Sequence, residues 1–143
     1  MVRYAAFRAL ALASLFGACL PVAAGDVRPF QGSGYEKITG VNETGNVLTT
    51  DGEGVATHLG QFTRHLVVTI NEDLSLDGHL VITAANGDKL CVHLTGSFIT
   101  LSGIYTITGG TGRFSDASGS AAFTATFISA DTAVFSFEGA ISY

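Results

Sequence analysis

The chain contains the stretch Thr108-Gly109-Gly110-Thr111-Gly112-Arg113-Phe114-Ser115-Asp116-Ala117-Ser118-Gly119, which we term the glycine-rich loop. A strand-like run, residues 104–108, leads into it, and in residues 121–128, after it, apolar and small polar residues alternate. Gly109, Gly110, Gly112 and Gly119 permit backbone angles that other residues avoid, and Phe114, next to Arg113, gives the loop a ring to bury. The pattern predicts a structural loop that joins two strands.

A phosphate-binding role for Gly109-Gly110-Thr111-Gly112 does not fit this context. Phosphate loops present backbone N–H groups at the start of a long helix within a strand–helix–strand unit, whereas here the next strand follows at once. The glycines are also not followed by a Lys-Ser or Lys-Thr pair. We therefore expect neither a nucleotide nor another cofactor.

The N-terminus has the pattern of an export signal. Arg3 and Arg8 are followed by the apolar residues 9–20 and by small residues at 22–24. We predict a signal peptide over residues 1–24, cleaved before Gly25, and a secreted product. The alternative is a lipoprotein anchored at Cys19, although Phe16 matches such a signal poorly. No stretch reaches the ~20 apolar residues of a spanning helix, so no stable membrane span is expected.

Charge and cysteine content narrow the function classes. Without Arg3 and Arg8, five Lys and Arg remain against twelve Asp and Glu, a net charge of −7 that argues against a nucleic-acid partner. Cys91 is then the single cysteine, so an intramolecular disulfide cannot form. About 120 residues correspond to one domain, stabilised by its core.

The rest of the chain has the period-two pattern of strands and lacks an amphipathic helix. Residues 25–34, with Pro29 and scattered glycines, are predicted to form an irregular leader, and the barrel domain to span residues 35–143. Asp51–Gly54 is interpreted as a break in an extended run, and Asn86-Gly87 as a hairpin turn. The residues predicted to share a face within each run are Leu66, Val68 and Ile70; Leu80, Ile82 and Ala84; Leu90, Val92 and Leu94; Phe123 and Phe127; and Phe135 and Phe137.

About eight strands joined by successive hairpins favour an all-β fold, an antiparallel β-barrel of about eight strands. Closure would also remove exposed strand edges. A two-layer sandwich would show the same short strands and turn signals, so periodicity leaves both architectures open.

Histidine and cysteine residues offer two candidate chemistries. His58, His65, His79 and His93 could ligate a metal, but their spacing favours a row of partly exposed polar side chains, and we expect no metal site. Cys91 and His93 lie two apart on one strand face, so a thiolate–imidazole pair is geometrically possible. A cysteine packed as a small hydrophobe is the alternative.

Glu36 and Glu138 differ from the other acids because they lie within strand runs rather than at turns. A carboxylate that faces the lumen could have a raised pKa and act as an acid or base, whereas one that faces outward has no such role. We favour the outward orientation. The weak catalytic candidates are therefore Glu36, Glu138, Cys91 and His93.

Two motifs resemble known barrels. Gly109-Gly110-Thr111-Gly112-Arg113-Phe114, followed by Ala117-Ser118-Gly119, resembles the late loop of the allene oxide cyclase and dirigent superfamily, where it closes a β-barrel. Residues 54–63, with Asn86-Gly87-Asp88, are similar to small exported bacterial proteins that have this barrel and no assigned activity. The likeness covers residues 35–143.

The resemblance implies an eight-stranded barrel that associates as a trimer and holds a small apolar molecule in its lumen. Its characterised members cyclise an unstable epoxide or steer radical coupling, but their functional residues do not match numbered positions here. We expect a secreted, non-catalytic module that binds a small apolar molecule or serves a surface role. The alternative is a cyclase- or isomerase-like enzyme acting on a small hydrophobic substrate in the lumen.

Overall fold

A computed structural model describes residues 26–143, which form a closed antiparallel barrel of eight strands in chain order. The strands are β1 (Val27–Val41), β2 (Val47–Ala56), β3 (Gly60–Ile70), β4 (Ser75–Thr83), β5 (Lys89–Ser97), β6 (Ser102–Gly110), β7 (Ser118–Phe127) and β8 (Thr132–Ser142), with a short 3-10 helix at Gly112–Phe114. The predicted all-β barrel is confirmed, and the sandwich is excluded. The predicted signal peptide, with Cys19, lies outside the described residues.

The first strand corrects the predicted leader. Residues 27–34 are the first half of β1, which closes the barrel by pairing with β8, Val27 opposite Ser142. Pro29 fits because β2 ends opposite Gly32, so this part of β1 has a partner on one side only. Glycine is needed at Gly34, where a Cβ would lie 2.1 Å from the Glu53 carbonyl oxygen. The predicted break at Asp51–Gly54 is also wrong, since β2 is continuous.

Inward-facing side chains fill much of the barrel. The predicted faces are confirmed, with Ile70 and Phe127 at their less buried ends. Aromatic rings pack closely: the centroids of Phe30 and Phe137 lie 4.8 Å apart, and Tyr105 stacks on Phe123 at 4.7 Å. Within residues 26–143 no helix has the length and apolar character needed to cross a membrane.

The barrel has two unlike ends. The plug end comprises residues 57–59, 84–88 and 111–117 together with the outer ends of β1 and β8. The mouth end comprises residues 42–46, 71–74, 98–101 and 128–131. The glycine-rich loop covers the plug end.

Phe114 anchors this loop. Its ring is fully buried and lies 5.0 Å from the ring of Tyr143, centroid to centroid. The Arg113 guanidinium lies over the Phe114 ring, and its Nη2 donates a 2.6 Å hydrogen bond to the His58 carbonyl oxygen. Arg113 also pairs with Asp88 at 3.6 Å. The loop thus ties the turns after β2 and β4 to the end of β8.

Candidate functional site

A cavity of about 70 Å3 opens inside the barrel near the mouth end. Most of its lining is aliphatic or aromatic, and Phe98, Leu101 and Phe127 stand at its rim. Phe98 and Phe127 are 37% and 40% exposed, so the rim is not sealed from solvent. The space lies between the mouth-end halves of the strands, while aromatic and aliphatic side chains fill the rest of the lumen.

Five polar residues line this cavity. Asp131 lies in the mouth-end turn before β8, and we term the other four, which lie on strands, the lumen cluster: Glu36, Thr50, Arg64 and Tyr105. Strands β1, β2, β3 and β6 each contribute one of them. Arg64 Nη2 pairs with Glu36 Oε2 at 2.8 Å, and Arg64 Nη1 donates to the Tyr105 hydroxyl at 2.9 Å. Thr50 Oγ1 donates to the same Glu36 oxygen at 3.2 Å. The cluster is therefore one connected network across the lumen.

Arg64 is the centre of the cluster. Its side chain is only 2% exposed, and its guanidinium lies 4.1 Å from the Phe135 ring centroid. Among the side-chain nitrogen and oxygen atoms that the structure describes, Arg64 Nε is the one that is buried without a hydrogen-bond partner. An unsatisfied buried donor costs about 1–3 kcal/mol, and more when it is charged. A ligand oxygen could satisfy it.

Tyr105 supplies a neutral hydroxyl. Its complete burial raises the pKa of the phenol above the ordinary 10.0, an effect that the nearby Arg64 charge opposes and the Glu36 charge reinforces. The phenol oxygen accepts from Arg64, and none of the hydrogen bonds in residues 26–143 uses the phenol hydrogen. The cavity wall thus offers a second donor.

The two candidate carboxylates, Glu36 and Glu138, lie on opposite faces of the sheet. Glu36 faces the lumen, so the outward orientation that we favoured for it is wrong: the buried Arg64 supplies a counterion inside. Glu138 is exposed on the outer face of β8. The sequence analysis did not identify Arg64 and Tyr105 as candidate site residues. A signal for Arg64 was present, since it lies two residues before Leu66 and four before Val68 and therefore shares their inward face.

The thiol and imidazole candidates lie outside the lumen. Cys91 and His93 alternate with the buried Leu90, Val92 and Leu94, so both occupy the outer face of β5. His93 Nε2 is 2.6 Å from Asp77 Oδ1. The pair that forms is therefore imidazole–carboxylate, rather than the thiolate–imidazole pair considered from the sequence.

The remaining histidines are dispersed. His58 lies in the turn after β2, whereas His65 lies within β3 and contacts Asp51 at 2.7 Å. His79 lies opposite His93. Over residues 26–143, no group of three or more His, Cys, Asp or Glu side chains is arranged to hold a metal ion.

Two solved structures share this architecture. The pterocarpan synthase dirigent protein GePTS1 matches with a TM-score of 0.67 and 13% sequence identity, over 89% of this chain and 94% of that chain. The pterocarpan synthase dirigent protein PsPTS1 matches with a TM-score of 0.59 and 11% identity, over 85% of this chain and 97% of that chain. The fold is a dirigent-like barrel. The sequence matches no family model and no curated protein.

The dirigent-like barrel confirms the fold that the glycine-rich loop predicted. The allene oxide cyclase part of that resemblance stays a prediction. Since identity to the two dirigent structures is only 11–13%, the likeness establishes the fold alone. The chemistry of this dirigent-like barrel must therefore be derived from its own lumen cluster.

Proposed function

We propose that this protein is a secreted, non-catalytic binding module whose barrel holds one small, mostly apolar molecule with a single hydrogen-bond acceptor. The observation that carries the proposal is Arg64 Nε, a buried donor without a partner, on a residue that lines a mostly apolar cavity. Apolar pockets with a few convergent polar groups are the usual form of a small-molecule site.

Energetics favour binding over packing as the role of the lumen cluster. Replacing a buried ion pair by apolar residues of similar volume is often neutral or stabilising. A barrel that needed only a packed core would gain nothing from Arg64 and Glu36. The charges of Arg64 and Glu36 cancel, and Asp131, which also lines the cavity, is solvent-exposed and lies beside Lys37. The expected ligand is therefore neutral, and its acceptor is a carbonyl, ether or hydroxyl oxygen.

The size of the cavity limits what can bind. Its volume, about 70 Å3, is well below the ~300–1,000 Å3 of ordinary ligand pockets. A ligand must therefore be small or must displace the rim side chains Phe98, Leu101 and Phe127. We expect the hydrogen-bond acceptor of the ligand to reach the lumen cluster and the apolar part of the ligand to lie between these rim residues.

The second candidate is a cyclase- or isomerase-like enzyme. The observation that favours it is that Glu36 and the Tyr105 hydroxyl face the same cavity, as a base and an acid would. Binding ranks first because Glu36 Oε2 is already engaged by both Arg64 and Thr50. Turnover of a bound compound by the parent protein, abolished by Glu36→Gln with binding retained, would move the assignment to the enzyme.

Matched ligand pairs test the proposal. Protein purified from its secretion route is screened by thermal shift and native mass spectrometry against small cyclic ketones and the hydrocarbons of the same skeletons. A ligand at about 100 times its Kd stabilises by about 2.7 kcal/mol. We expect a larger shift from a ketone than from its hydrocarbon, and we expect Arg64→Met to remove that difference.

A second pair of variants locates the site. Ala125 lines the cavity, so Ala125→Phe should fill it and abolish the ligand-induced rise in melting temperature. Ala122 is exposed on the outer face of the same strand, so Ala122→Phe should leave the shift unchanged. The proposal fails if the parent binds no member of the panel, or if Ala125→Phe binds as the parent does.

A further inference from the structure

The outer face of the barrel brings two imidazoles together. His79 on β4 lies directly opposite His93 on β5, with ring centroids 5.5 Å apart and planes inclined by 31°. Residues directly opposite in an antiparallel pair have Cβ atoms about 4.5–5.5 Å apart, so the sheet itself holds the two rings as neighbours. His79 is exposed and His93 half-buried, so water and ions reach both.

Asp77 orients one of these rings. Its Oδ1 lies 2.6 Å from His93 Nε2. When Nε2–H donates to that carboxylate, Nδ1 of His93 carries the free lone pair and can serve as a ligand. A carboxylate behind a histidine is the usual support of a metal-bound imidazole, since it fixes the tautomer and raises the basicity of the ligand nitrogen.

We propose that His79 and His93 together bind one divalent transition-metal ion on the outer face of the barrel, with Asp77 as the supporting carboxylate. Imidazole ligands suit copper, nickel and zinc, and copper(II) is bound most tightly of the three at a given site. Water completes the coordination, because no third His, Cys, Asp or Glu of residues 26–143 joins the pair. The sequence predicted a row of partly exposed polar side chains and no metal site, and the strand register places two of these histidines opposite each other.

This site is separate from the lumen cluster. His79 and His93 alternate with the buried Leu80 and Leu94 and so lie on the opposite face of the sheet from the cavity. The proposed metal site is therefore independent of the proposed ligand function.

Calorimetric titration of the metal-free secreted protein with copper(II), nickel(II) and zinc(II) tests the proposal. We expect one copper ion per chain, bound more tightly than nickel or zinc, with nitrogen ligands visible in the copper electron paramagnetic resonance spectrum. His79→Gln and His93→Gln should each weaken copper binding by about tenfold or more, and Asp77→Asn by ~10–100-fold, the usual effect of removing a supporting group.

His65→Gln is the matched control. His65 is also an outer-face histidine paired with a carboxylate, Asp51, but no histidine lies opposite it. Its replacement should leave copper affinity unchanged. Equal losses from His65→Gln and His79→Gln, or the absence of saturable binding, would overturn the proposal. Loss of binding in Cys91→Ser would also overturn it, because the thiol would then be the ligand.

Discussion

At position 64 the chain places a guanidinium between two buried hydrocarbon side chains, Phe62 and Leu66, on the inward face of β3. The charge is tolerated because Glu36 pairs with it and because Phe135 and Tyr105 surround it. Such a pair contributes little net stability, yet removing one partner leaves the other as an uncompensated buried charge.

We therefore expect Glu36→Gln to lower the free energy of unfolding by about 3–5 kcal/mol, because Arg64 loses its counterion. The double variant Glu36→Leu/Arg64→Met should recover the parent stability or exceed it, since both charges leave together. Urea denaturation of the three proteins measures this. A double variant as unstable as Glu36→Gln would show that the pair is needed for folding and would weaken the binding assignment.

Because of Tyr105, the free energy of unfolding should fall at alkaline pH. Burial raises its folded pKa, whereas the unfolded chain ionises near the ordinary 10.0. The stabilisation from a protonated Tyr105 is thus fully present below pH 10 and is lost as pH rises through the folded value.

Tyr105→Phe should flatten the alkaline decline in unfolding free energy, measured by urea denaturation at a series of pH values. A parent protein whose Tyr105 ionises while folded, seen as a full tyrosinate absorbance before unfolding, would contradict the argument.

At the scale of elements, the fully buried ring of Phe114 anchors the glycine-rich loop. Phe114→Ala should destabilise the protein by ~3–5 kcal/mol, the usual loss for a buried aromatic side chain. Arg113→Ala should cost less, because that side chain is 40% exposed. Phe127→Ala, at the half-exposed rim, is the size-matched control. A denaturation midpoint for Phe114→Ala within a few tenths of a molar of the parent would mean that the loop is anchored elsewhere.

Strand faces could be predicted from the sequence because period-two alternation is a local property, as in Leu90, Val92 and Leu94. The first half of β1 could not be predicted, since its partner is β8, more than 100 residues away, and Pro29 with its neighbouring glycines suggests irregular chain. The inward position of Arg64 could be predicted from the same alternation. Its counterion, Glu36, could not, because Glu36 lies on β1, two strands away. Both the first half of β1 and the ion pair of Arg64 thus depend on contacts between residues far apart in the sequence, which a local pattern does not reveal.

At the scale of the whole molecule, the lumen is divided between a packed half and an open half. Rings such as Phe30, Phe62 and Phe137 fill the part near the plug end, and the cavity occupies the part near the mouth. Eight strands enclose just enough space for side chains to fill or for one small ligand. In this chain, side chains fill part of that space and leave a cavity in the rest.

Export can be tested on the intact protein. The secreted product should begin near Gly25, because Val22 and Ala24 fit the small-residue rule of signal cleavage. Intact-mass measurement of the exported protein determines this start, and an Ala24→Arg variant should impair processing at that point. A lipid-modified species beginning at Cys19 would show that the protein is tethered to a membrane rather than freely secreted, although a single acyl chain would anchor it only reversibly.

The pairing of Val27 with Ser142 means that β1 begins and β8 ends at the same end of the barrel, opposite the cavity. An even number of antiparallel strands makes this unavoidable. An affinity tag, a fused partner or an immobilising linker can therefore be attached after Tyr143 and stay a full strand length from the opening. On a sensor surface coupled through Tyr143, the molecules would all present their openings to the passing solution.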